Sequence, residues 1–460
     1  MSQLYAFDTT RHLGFGNDLG VPQFNLTGHV FNGQGLYYTR IKIGTPAKEF
    51  YVIVDTGSNL LWITCNSCKD CPKYTARGNA HFFGPENSST ASSLDCSSCH
   101  HKHITLDTMC LKGSLCGYAT MYANRVATSG YFLSDLMSFE VVYENDTTAT
   151  ISTNITFGCT TNLTGVPINQ GPADGIISLA QSEGSILSQL TSHEEVLRVF
   201  SHCLIGEGIG GGILLFGEIS EPNLSCTPII PSEFVSFTYL LFIFNSFGYS
   251  ADVEYIAVNG QIVPIDPAVF KTSSFRGAYF DSGTTLVFLI EDAYIPFAHT
   301  IRTALSNLEP ATDLESELCY KWTSKLEEFP IISFKFAGKA TMTLRPEAYL
   351  AAELVDLTLA WCIGIRKTIV HGASIIGGMT FCLRGVCWLA LWGVDVYAFW
   401  AAEVISCLGA NETCLWLSGK NLISPSNFVD RNVVLVLKKF ARCSRDMEME
   451  KSASDIEGYP

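Results

Sequence analysis

Tyr51-Val-Ile-Val-Asp-Thr-Gly-Ser-Asn-Leu-Leu-Trp62 and Ala278-Tyr-Phe-Asp-Ser-Gly-Thr-Thr-Leu-Val-Phe288 are two similar stretches that decide the fold. Each has an apolar strand, an Asp-[Thr/Ser]-Gly-[Ser/Thr] motif and a second apolar strand. One Asp-[Ser/Thr]-Gly triplet arises by chance roughly 0.2 times in such a length. Two of them between strands, 226 positions apart (281 minus 55), indicate an internal duplication. Apolar segments follow at Ile176-Ile-Ser178 and Ile375-Ile-Gly-Gly378. The sequence therefore predicts two similar halves, each contributing one carboxylate to a site between them.

The two motifs supply an acid and a base. Asp55 and Asp281, placed side by side, cannot both ionise, so they share one proton at neutral and mildly acid pH. Such a pair has a base to activate water and an acid to protonate a carbonyl oxygen, which hydrolyses an amide without metal or covalent intermediate. The alternative, two ordinary Asp turns that cap strands, leaves the repeat unexplained.

The residues beside the carboxylates are predicted to hold them in place. The glycines let the backbone turn tightly and bring an amide near each carboxylate. The hydroxyl residue after each glycine can bond the outer carboxylate oxygen, and the one before it can bond across the two loops. These residues are Thr56, Gly57, Ser58, Ser282, Gly283 and Thr284.

Short apolar runs predict an all-β fold. From Leu36 onward, runs of four to eight residues rich in Val, Ile, Phe and Tyr are separated by Gly, Pro, Asn and Ser, a pattern typical of strands. Helical periodicity is confined to Ser185–Arg198 and Glu291–Asn307, so helices are expected to be few and peripheral. The strand-like runs include Tyr51–Val54, Ile151–Phe157, Ile213–Phe216, Val253–Val258 and Ile331–Phe336.

Composition narrows the class of protein. The 460 residues are 47% apolar and 16% charged, which excludes a disordered, collagen-like or coiled-coil chain. The net charge of -15 repels phosphate backbones, so no nucleic-acid partner is expected.

Cysteines and glycosylation motifs indicate a secretory route. The chain has 17 cysteines, too many for an ordinary cytosolic enzyme. It also has seven Asn-x-Ser/Thr motifs where roughly three are expected by chance. Met1–Thr10 lacks the basic and apolar segments of a signal peptide, so none is visible. The motifs begin at Asn25, Asn87, Asn145, Asn154, Asn162, Asn223 and Asn411.

The two Asp-[Thr/Ser]-Gly stretches and the segments around them resemble those of pepsin-like aspartic peptidases, and among them the plant nepenthesin-type members. The resemblance extends from about Gly35 to Met379. The resemblance implies a bilobal all-β fold, in which two duplicated β-lobes enclose the active site in a cleft. It also implies Asp55 and Asp281 as the catalytic dyad and Tyr122 as the tyrosine of a flap over the substrate. Further matching stretches are Gly35-Leu-Tyr-Tyr-Thr-Arg-Ile-Lys-Ile-Gly-Thr-Pro46, Phe157-Gly-Cys159, Asp174-Gly-Ile-Ile177, Phe200-Ser-His-Cys203 and Trp361-Cys-Ile-Gly364.

The resemblance divides the chain into four segments. Residues 1–34 are expected to be a polar leader or arm. Residues 35–232 form the N-terminal lobe with the first catalytic Asp and the flap, and residues 233–379 form the C-terminal lobe with the second. Residues 380–460 are an atypical tail, as an alternative or mis-predicted exon would give. Its residues 388–392, Trp-Leu-Ala-Leu-Trp, lack strand alternation, so the tail is predicted not to complete the second lobe.

The sequence departs from the family at two further places. The flap of these peptidases usually reads Tyr-Gly-Asp-Gly, whereas Ala123-Asn-Arg125 follows Tyr122 here. Losing both glycines is expected to stiffen the tip or change its turn, because side chains resist positive φ. Ser178 replaces a glycine expected where chains cross closely.

The cysteine cluster allows two interpretations. Its Cys-x2-Cys spacings suit a zinc site, but the glycosylation motifs and the resemblance favour disulfides. Seven cysteines lie between residues 65 and 116 and indicate a stapled insertion in the first lobe, with a connectivity that the sequence leaves open. Cys319–Cys362 is the expected pair of the second lobe, and Cys159 is expected to lose its usual partner with the altered tail. The cluster comprises Cys65, Cys68, Cys71, Cys96, Cys99, Cys110 and Cys116.

The resemblance implies an aspartic endopeptidase that cleaves proteins or peptides at acid pH. It implies a monomer without cofactor or metal, secreted or held in an endomembrane or vacuolar compartment. Membrane attachment is not expected, since the apolar run Val386–Ala402 is interrupted by Asp395 and falls short of the ~20 residues of a span. The alternative is a non-catalytic pepsin-like binding protein, such as a relative of the plant xylanase inhibitors. The intact triplets favour the enzyme, and the altered flap and tail favour the alternative.

Overall fold

The structure is a computed structural model. It describes residues 20–31, 34–75, 78–101, 108–122, 124–143, 147–166, 173–193, 196, 198–205, 211–217, 224–230, 234–238, 242–246, 248–273, 276–311, 318–356, 358–368, 373–378, 386–391, 397–401, 416–418 and 421–423.

Strands dominate both halves of the described chain, as the run pattern predicted. In the first half they are β1 (Val21–Phe31), β2 (Gln34–Ile43), β3 (Lys48–Asp55), β4 (Trp62–Thr64), β5 (Tyr74–Thr75), β6 (Gly78–Asn79), β7 (Ser92–Ser93), β8 (Thr108–Cys110), β9 (Cys116–Met121), β10 (Ala127–Val142), β11 (Thr148–Thr164), β12 (Gly175–Ser178), β13 (Val199–Ile205), β14 (Gly211–Leu215) and β15 (Leu224–Pro228). Beyond them lie β16 (Phe234–Thr238), β17 (Phe242–Ser246), β18 (Tyr249–Ala251), β19 (Val253–Val258), β20 (Gln261–Ile262), β21 (Gly277–Asp281), β22 (Val287–Leu289), β23 (Cys319–Lys321), β24 (Ile332–Phe336), β25 (Thr341–Leu344), β26 (Leu350–Val355), β27 (Thr358–Ile363), β28 (Ile365–Lys367), β29 (Ala373–Gly377), β30 (Val386–Leu391), β31 (Tyr397–Ala401), β32 (Trp416–Ser418) and β33 (Asn421–Ile423).

Among the described residues α-helices are few, and the two longer ones each have one buried face. The α-helices are α1 (Cys96–His101), α2 (Ile186–Ser192), α3 (Glu291–Ala304) and α4 (Pro346–Tyr349). α2 and α3 lie within the two stretches where helical periodicity predicted helices. Ser185 caps α2 by accepting from the amide of Ser188 at 3.3 Å. Among the described residues, no helix is long and apolar enough to cross a membrane.

The two halves repeat one arrangement of four strands. In the first half, β12 lies between β3 and β4, parallel to β3 and antiparallel to β4, and β11 runs parallel to β4. In the second half, β29 lies in the same way between β21 and β22, and β28 runs parallel to β22. The all-β fold in two halves is therefore confirmed. A shared apolar core joins them, and the Phe200 ring contacts the Tyr249 ring at 5.6 Å.

The prediction of a leader or arm to residue 34 is wrong for residues 21–31. These residues form β1, which pairs with β2, β10 and β14. Phe24 is buried and contacts the rings of Phe139 and Phe216 at 6.1 and 5.1 Å. Pro22 and Gly28 interrupt the apolar alternation, so the local pattern hid a strand that partners distant in the sequence stabilise.

Part of the tail also forms strands, which its lack of alternation did not predict. β30 pairs with β13 on one edge and with β31 on the other, and β31 also pairs with β15. A continuous apolar run is compatible with such an interior strand. These tail strands extend the large sheet of the first half. The origin of the tail in an alternative or mis-predicted exon stays a prediction, and its last 37 residues (460 minus 423) lie outside the described residues.

Disulfides fasten the insertion of the first lobe. All seven cysteines from Cys65 to Cys116 are bonded, so this structure uses none of their thiols for zinc. Because seven is an odd number, one partner must come from elsewhere, and it is Cys159. Cys159 thus has a partner within the first half, so the altered tail does not leave it unpaired. The bonds are Cys65–Cys159, Cys68–Cys71, Cys96–Cys110, Cys99–Cys116 and, in the second half, the expected pair Cys319–Cys362.

Candidate active site

Each half brings its carboxylate to the end of a central strand. Asp55 is the last residue of β3 and Asp281 the last residue of β21. In the parallel pair of β3 and β12, Asp55 stands opposite Ser178. In the parallel pair of β21 and β29, Asp281 stands opposite Gly377. The same strand arrangement thus presents both carboxylates, as the duplicated motifs predicted.

Hydrogen bonds between Thr56 and the residues around Ser282 join the two loops. The Thr56 hydroxyl donates to the carbonyl of Phe280 at 3.1 Å and accepts from the amide of Ser282 at 2.9 Å. In return, the Ser282 hydroxyl donates to the carbonyl of Val54 at 2.8 Å and accepts from the amide of Thr56 at 3.2 Å. Both residues are buried. Because four bonds cross between the halves in a symmetric pattern, the spacing of the two loops is fixed.

The glycines place each carboxylate against the opposite loop. Gly57 donates its amide to Asp55 Oδ1 at 2.8 Å, and Gly283 donates its amide to Asp281 Oδ1 at 2.9 Å. A Cβ at Gly57 would lie 2.7 Å from the Asp281 carboxyl group, and one at Gly283 would lie 2.4 Å from Asp55 Oδ1. Only glycine leaves room here for the two carboxyl groups to approach each other.

The outer hydroxyls differ between the halves. Thr284 donates its hydroxyl to Asp281 Oδ2. The Ser58 hydroxyl lies close enough to Asp55 to lower the pKa of that carboxyl, but it makes no hydrogen bond of ordinary geometry among the described residues. A negative charge on Asp281 is therefore stabilised by two direct donors, the Gly283 amide and the Thr284 hydroxyl. A charge on Asp55 has one such donor, the Gly57 amide.

The environment of Asp55 favours its protonated form. Asp55 is 5% exposed. Burial raises the pKa of Asp55 well above its ordinary 3.8, and the negative charge and hydrogen bond of Asp281 raise it further. The amide of Gly57 opposes this rise without cancelling it. The arrangement therefore favours a state in which the two carboxyls share one proton.

We expect the raised pKa of Asp55 to make stability depend on pH. The unfolded Asp55 ionises near 3.8, whereas the folded one keeps its proton to higher pH, so its stabilisation is complete below 3.8 and is lost as pH rises through the folded pKa. Asp55→Asn cannot ionise. The free energy of unfolding of this variant, measured in urea, should therefore rise relative to that of the wild type. The expected rise is up to ~1.4 kcal/mol for each pH unit above pH 4.

The exposed Ser93→Ala, which removes no ionisable group, is the control for this measurement. Its stability should stay parallel to that of the wild type at every pH. A pH-independent difference between Asp55→Asn and the wild type would contradict the assignment of the raised pKa.

Tyr122 occupies the end of the β9–β10 hairpin, close to the dyad. Its hydroxyl accepts a hydrogen bond from the Trp62 indole nitrogen at 2.7 Å. Burial raises the pKa of Tyr122 well above 10, and the nearby charge of Asp55 raises it further. The tyrosine therefore keeps its proton and remains a donor. The sequence motifs do not show this bond, because Trp62 and Tyr122 lie 60 positions apart.

The turn after Tyr122 is tight despite the missing glycines. Arg125 donates its amide to the carbonyl of Tyr122 at 2.9 Å, and Tyr122 donates its amide to the carbonyl of Val126 at 2.7 Å. Arg125 has φ 66°, in the left-handed region that glycine usually occupies. Asn124 stabilises the turn by accepting from the amide of Val126 at 3.1 Å. The expected resistance to positive φ did not abolish the turn, although Ala123 lies outside the described residues.

Two family models match most of the chain. A family model described as the xylanase inhibitor N-terminal domain matches residues 37–218, and one for the xylanase inhibitor C-terminal domain matches residues 248–382.

Three relatives are named aspartic proteinases. Aspartic proteinase 36 of Arabidopsis thaliana is 30% identical over 383 residues, which cover 82% of this chain and 75% of that protein. Aspartic proteinase 39 of the same plant is 31% identical, covering 69% and 63% of the two chains. Aspartic proteinase nepenthesin-1 of Nepenthes gracilis is 30% identical, covering 58% and 55%. With two halves that each end a central strand in an Asp-[Thr/Ser]-Gly motif, the chain belongs to the pepsin-like aspartic proteinase family, alongside the plant nepenthesins.

Proposed function

We propose that the chain is an endopeptidase that hydrolyses peptide bonds in proteins at acid pH through Asp55 and Asp281. The observation that carries this proposal is the approach of the two carboxyl groups, each held by an amide of its own loop and each facing the glycine of the other. An arrangement that served only to cap strands would not need the carboxyls together.

The environment assigns different roles to the two carboxyls. Asp55 holds the shared proton, since burial raises its pKa. Asp281 carries the charge, since Gly283 and Thr284 donate to it. Asp281 takes a proton from a water molecule as the water oxygen attacks the peptide carbonyl carbon, and Asp55 gives its proton to the carbonyl oxygen. This forms a neutral diol without any covalent bond to the enzyme.

The second step returns both carboxyls to their initial state. The proton now on Asp281 passes to the peptide nitrogen as the carbon–nitrogen bond breaks. A hydroxyl of the diol gives a proton to Asp55 as its oxygen forms the new carbonyl. The products are a carboxylic acid and an amine, and no cofactor enters the balance. Tyr122, held by Trp62 and protonated, closes the hairpin over a peptide bound in the cleft.

Cleavage of an unfolded protein substrate tests the proposal. The purified chain should cleave it below pH 5, and a statine-type transition-state analogue should block the reaction. No cleavage between pH 2 and 7 would overturn the proposal.

The same experiment separates the second candidate, a non-catalytic binding protein. Arg125 in the flap and the xylanase inhibitor names of the matching family models favour that candidate. A chain that binds a folded partner protein tightly and cleaves nothing would support it.

We expect Arg125→Gly to raise kcat/KM by up to about fivefold, because a left-handed side-chain residue costs roughly 1 kcal/mol that glycine avoids. The flap could then reorganise more easily over the substrate. Steady-state kinetics on a peptide substrate measures the change. Lys112→Gly is the control, since it adds flexibility at an exposed turn position outside the flap whose φ is not positive. If Arg125→Gly leaves kcat/KM unchanged or lowers it, the turn has adapted to arginine.

The chain is proposed to be a monomer of the secretory or vacuolar route, with proteins or peptides as its partners. The disulfides of the first half support an oxidising compartment. Of the predicted glycosylation sites, Asn145 and Asn223 lie outside the described residues, as does Asn411. The asparagines that are described, Asn25, Asn87, Asn154 and Asn162, are all exposed.

Expression in a secretory host should therefore give a glycoprotein. Treatment with an N-glycosidase should lower its mass by the sum of several glycans, and peptide mapping should find them on the four exposed asparagines. A secreted chain whose mass does not change would contradict the use of these sites.

A further inference from the structure

Ser178 marks a difference between the two otherwise repeated halves. It stands opposite Asp55 just as Gly377 stands opposite Asp281. A Cβ at Gly377 would lie 2.1 Å from the carbonyl oxygen of Leu286 and 2.6 Å from that of Thr284, so no side chain fits there. Ser178 is fully buried, and the first half has therefore made room for a side chain at this position.

The Ser178 hydroxyl binds the loop that carries Asp55. It donates to the carbonyl of Ser58, the last residue of the motif. That carbonyl also faces the amide of Ala180, at 3.3 Å, and the amide of Leu179 donates to the carbonyl of Asp55 at 2.8 Å. The segment 178–180 thus holds both ends of the loop from Asp55 to Ser58.

The second half achieves the same contact with the backbone alone. The carbonyl of Thr284, equivalent to that of Ser58, accepts from the amide of Gly378 at 2.6 Å. In the first half the backbone donor to the carbonyl of Ser58 is the amide of Ala180, at 3.3 Å. The Ser178 hydroxyl lies nearer to that carbonyl than this amide does. Where the glycine is missing, a side-chain bond therefore adds to a longer backbone bond.

We propose that Ser178 is a positioning residue for Asp55, which holds the Asp55–Ser58 loop in the geometry that the reaction needs. The inference rests on the proposed function. Within that loop, the amide of Gly57 donates to Asp55 Oδ1, so a displaced loop weakens this bond and leaves the carboxyl less firmly oriented beside Asp281. Asp281 is the ionisable group that raises the pKa of Asp55, and the charge of Asp55 in turn raises the pKa of Tyr122. Ser178 itself touches neither the substrate nor the reacting atoms.

Ser178→Ala tests the proposal with Ser201→Ala as its control. Ser201 is equally buried and also donates its hydroxyl to a backbone carbonyl, that of Gly217, at 2.6 Å. Both variants lose one such bond and should lose similar thermal stability. Only Ser178→Ala should lower kcat, by roughly five- to tenfold, with KM within twofold of the wild type. A kcat equal to that of Ser201→Ala would overturn the proposal.

The pH profile gives a readout that a purely structural role would not move. Weakening the Gly57 bond removes a donor that lowers the pKa of Asp55, so the basic limb of the profile should move to higher pH in Ser178→Ala. It should stay in place in Ser201→Ala. An unmoved limb in both variants would contradict the positioning role. If Ser178→Ala does not fold, Ser178→Gly, which carries the residue found at position 377, decides by the same criteria.

A measurement without substrate separates this inference from the proposed function. Carboxyl carbon NMR of chain labelled with 13C-aspartate should show a higher pKa for Asp55 in Ser178→Ala than in the wild type or Ser201→Ala. A shifted pKa in a chain that cleaves no peptide would discard the peptidase and keep the positioning of Asp55. An active chain with an unshifted pKa would discard the positioning alone.

Discussion

Asp55→Asn and Asp281→Asn are each expected to reduce peptide cleavage at acid pH by roughly 10⁴-fold or more. Either change removes one member of a pair that acts as a unit, since an amide can neither take the proton of water nor give one to a carbonyl. The fold should persist, because asparagine has nearly the same shape and can still accept from the amides of Gly57 and Gly283. The measurement is single-turnover cleavage of a fluorogenic peptide, with circular dichroism as the check on folding.

Asp70→Asn and Asp292→Asn are the matched controls, one in each half. Both aspartates are exposed and lie outside the dyad, so these variants should keep full activity. Cleavage retained in either dyad variant would show that the carboxyl pair does not carry the reaction.

Gly57→Ala and Gly283→Ala should each lower kcat by at least ~10²-fold, because they displace the carboxyls without removing them. The new methyl group would lie 2.7 Å from the Asp281 carboxyl in the first variant and 2.4 Å from Asp55 Oδ1 in the second. Contacts this short force the two loops apart. Because Asp55 then faces less negative charge from Asp281, its pKa should fall toward its ordinary value.

Gly35→Ala is the control for these glycine variants. Its methyl group would meet only the Thr285 side chain, at 3.8 Å, which is ordinary contact. Its kcat should stay within about twofold of the wild type. Equal losses in all three variants would mean that alanine acts through general destabilisation, and unchanged activity in Gly57→Ala would mean that the loops tolerate a wider spacing.

The dyad could be predicted from the sequence because its two motifs repeat. Each motif is local, and the residues before and after Asp55 and Asp281 fix both the strand and the turn. The contact between the halves was also predictable in outline, since Thr56 and Ser282 are equivalent positions with hydroxyls. Their bonds to the carbonyls of Phe280 and Val54 required the structure, because a sequence does not show which backbone atoms face one another.

Features that depend on distant partners were missed. β1 is stabilised by β14, almost two hundred residues away, and its own sequence is too irregular to show it. The bond of Cys65 to Cys159 spans 94 positions, and spacing alone does not determine such a pairing. At Ser178 the residue was identified as unusual, but its hydrogen bond to Ser58 depends on how far two strands stand apart.

The pairing of β30 and β31 with β13 and β15 has a consequence during synthesis. β13 ends at Ile205 and β30 begins at Val386, so the ribosome must add 181 residues (386 minus 205) before the partner strand starts to exist. At about 5 to 20 residues per second, this takes roughly ten to forty seconds. Through that interval β13 presents an unpaired strand edge to every neighbouring nascent chain. Correct completion of the first sheet therefore competes with aggregation, and slower translation or a higher concentration of nascent chains would favour aggregation.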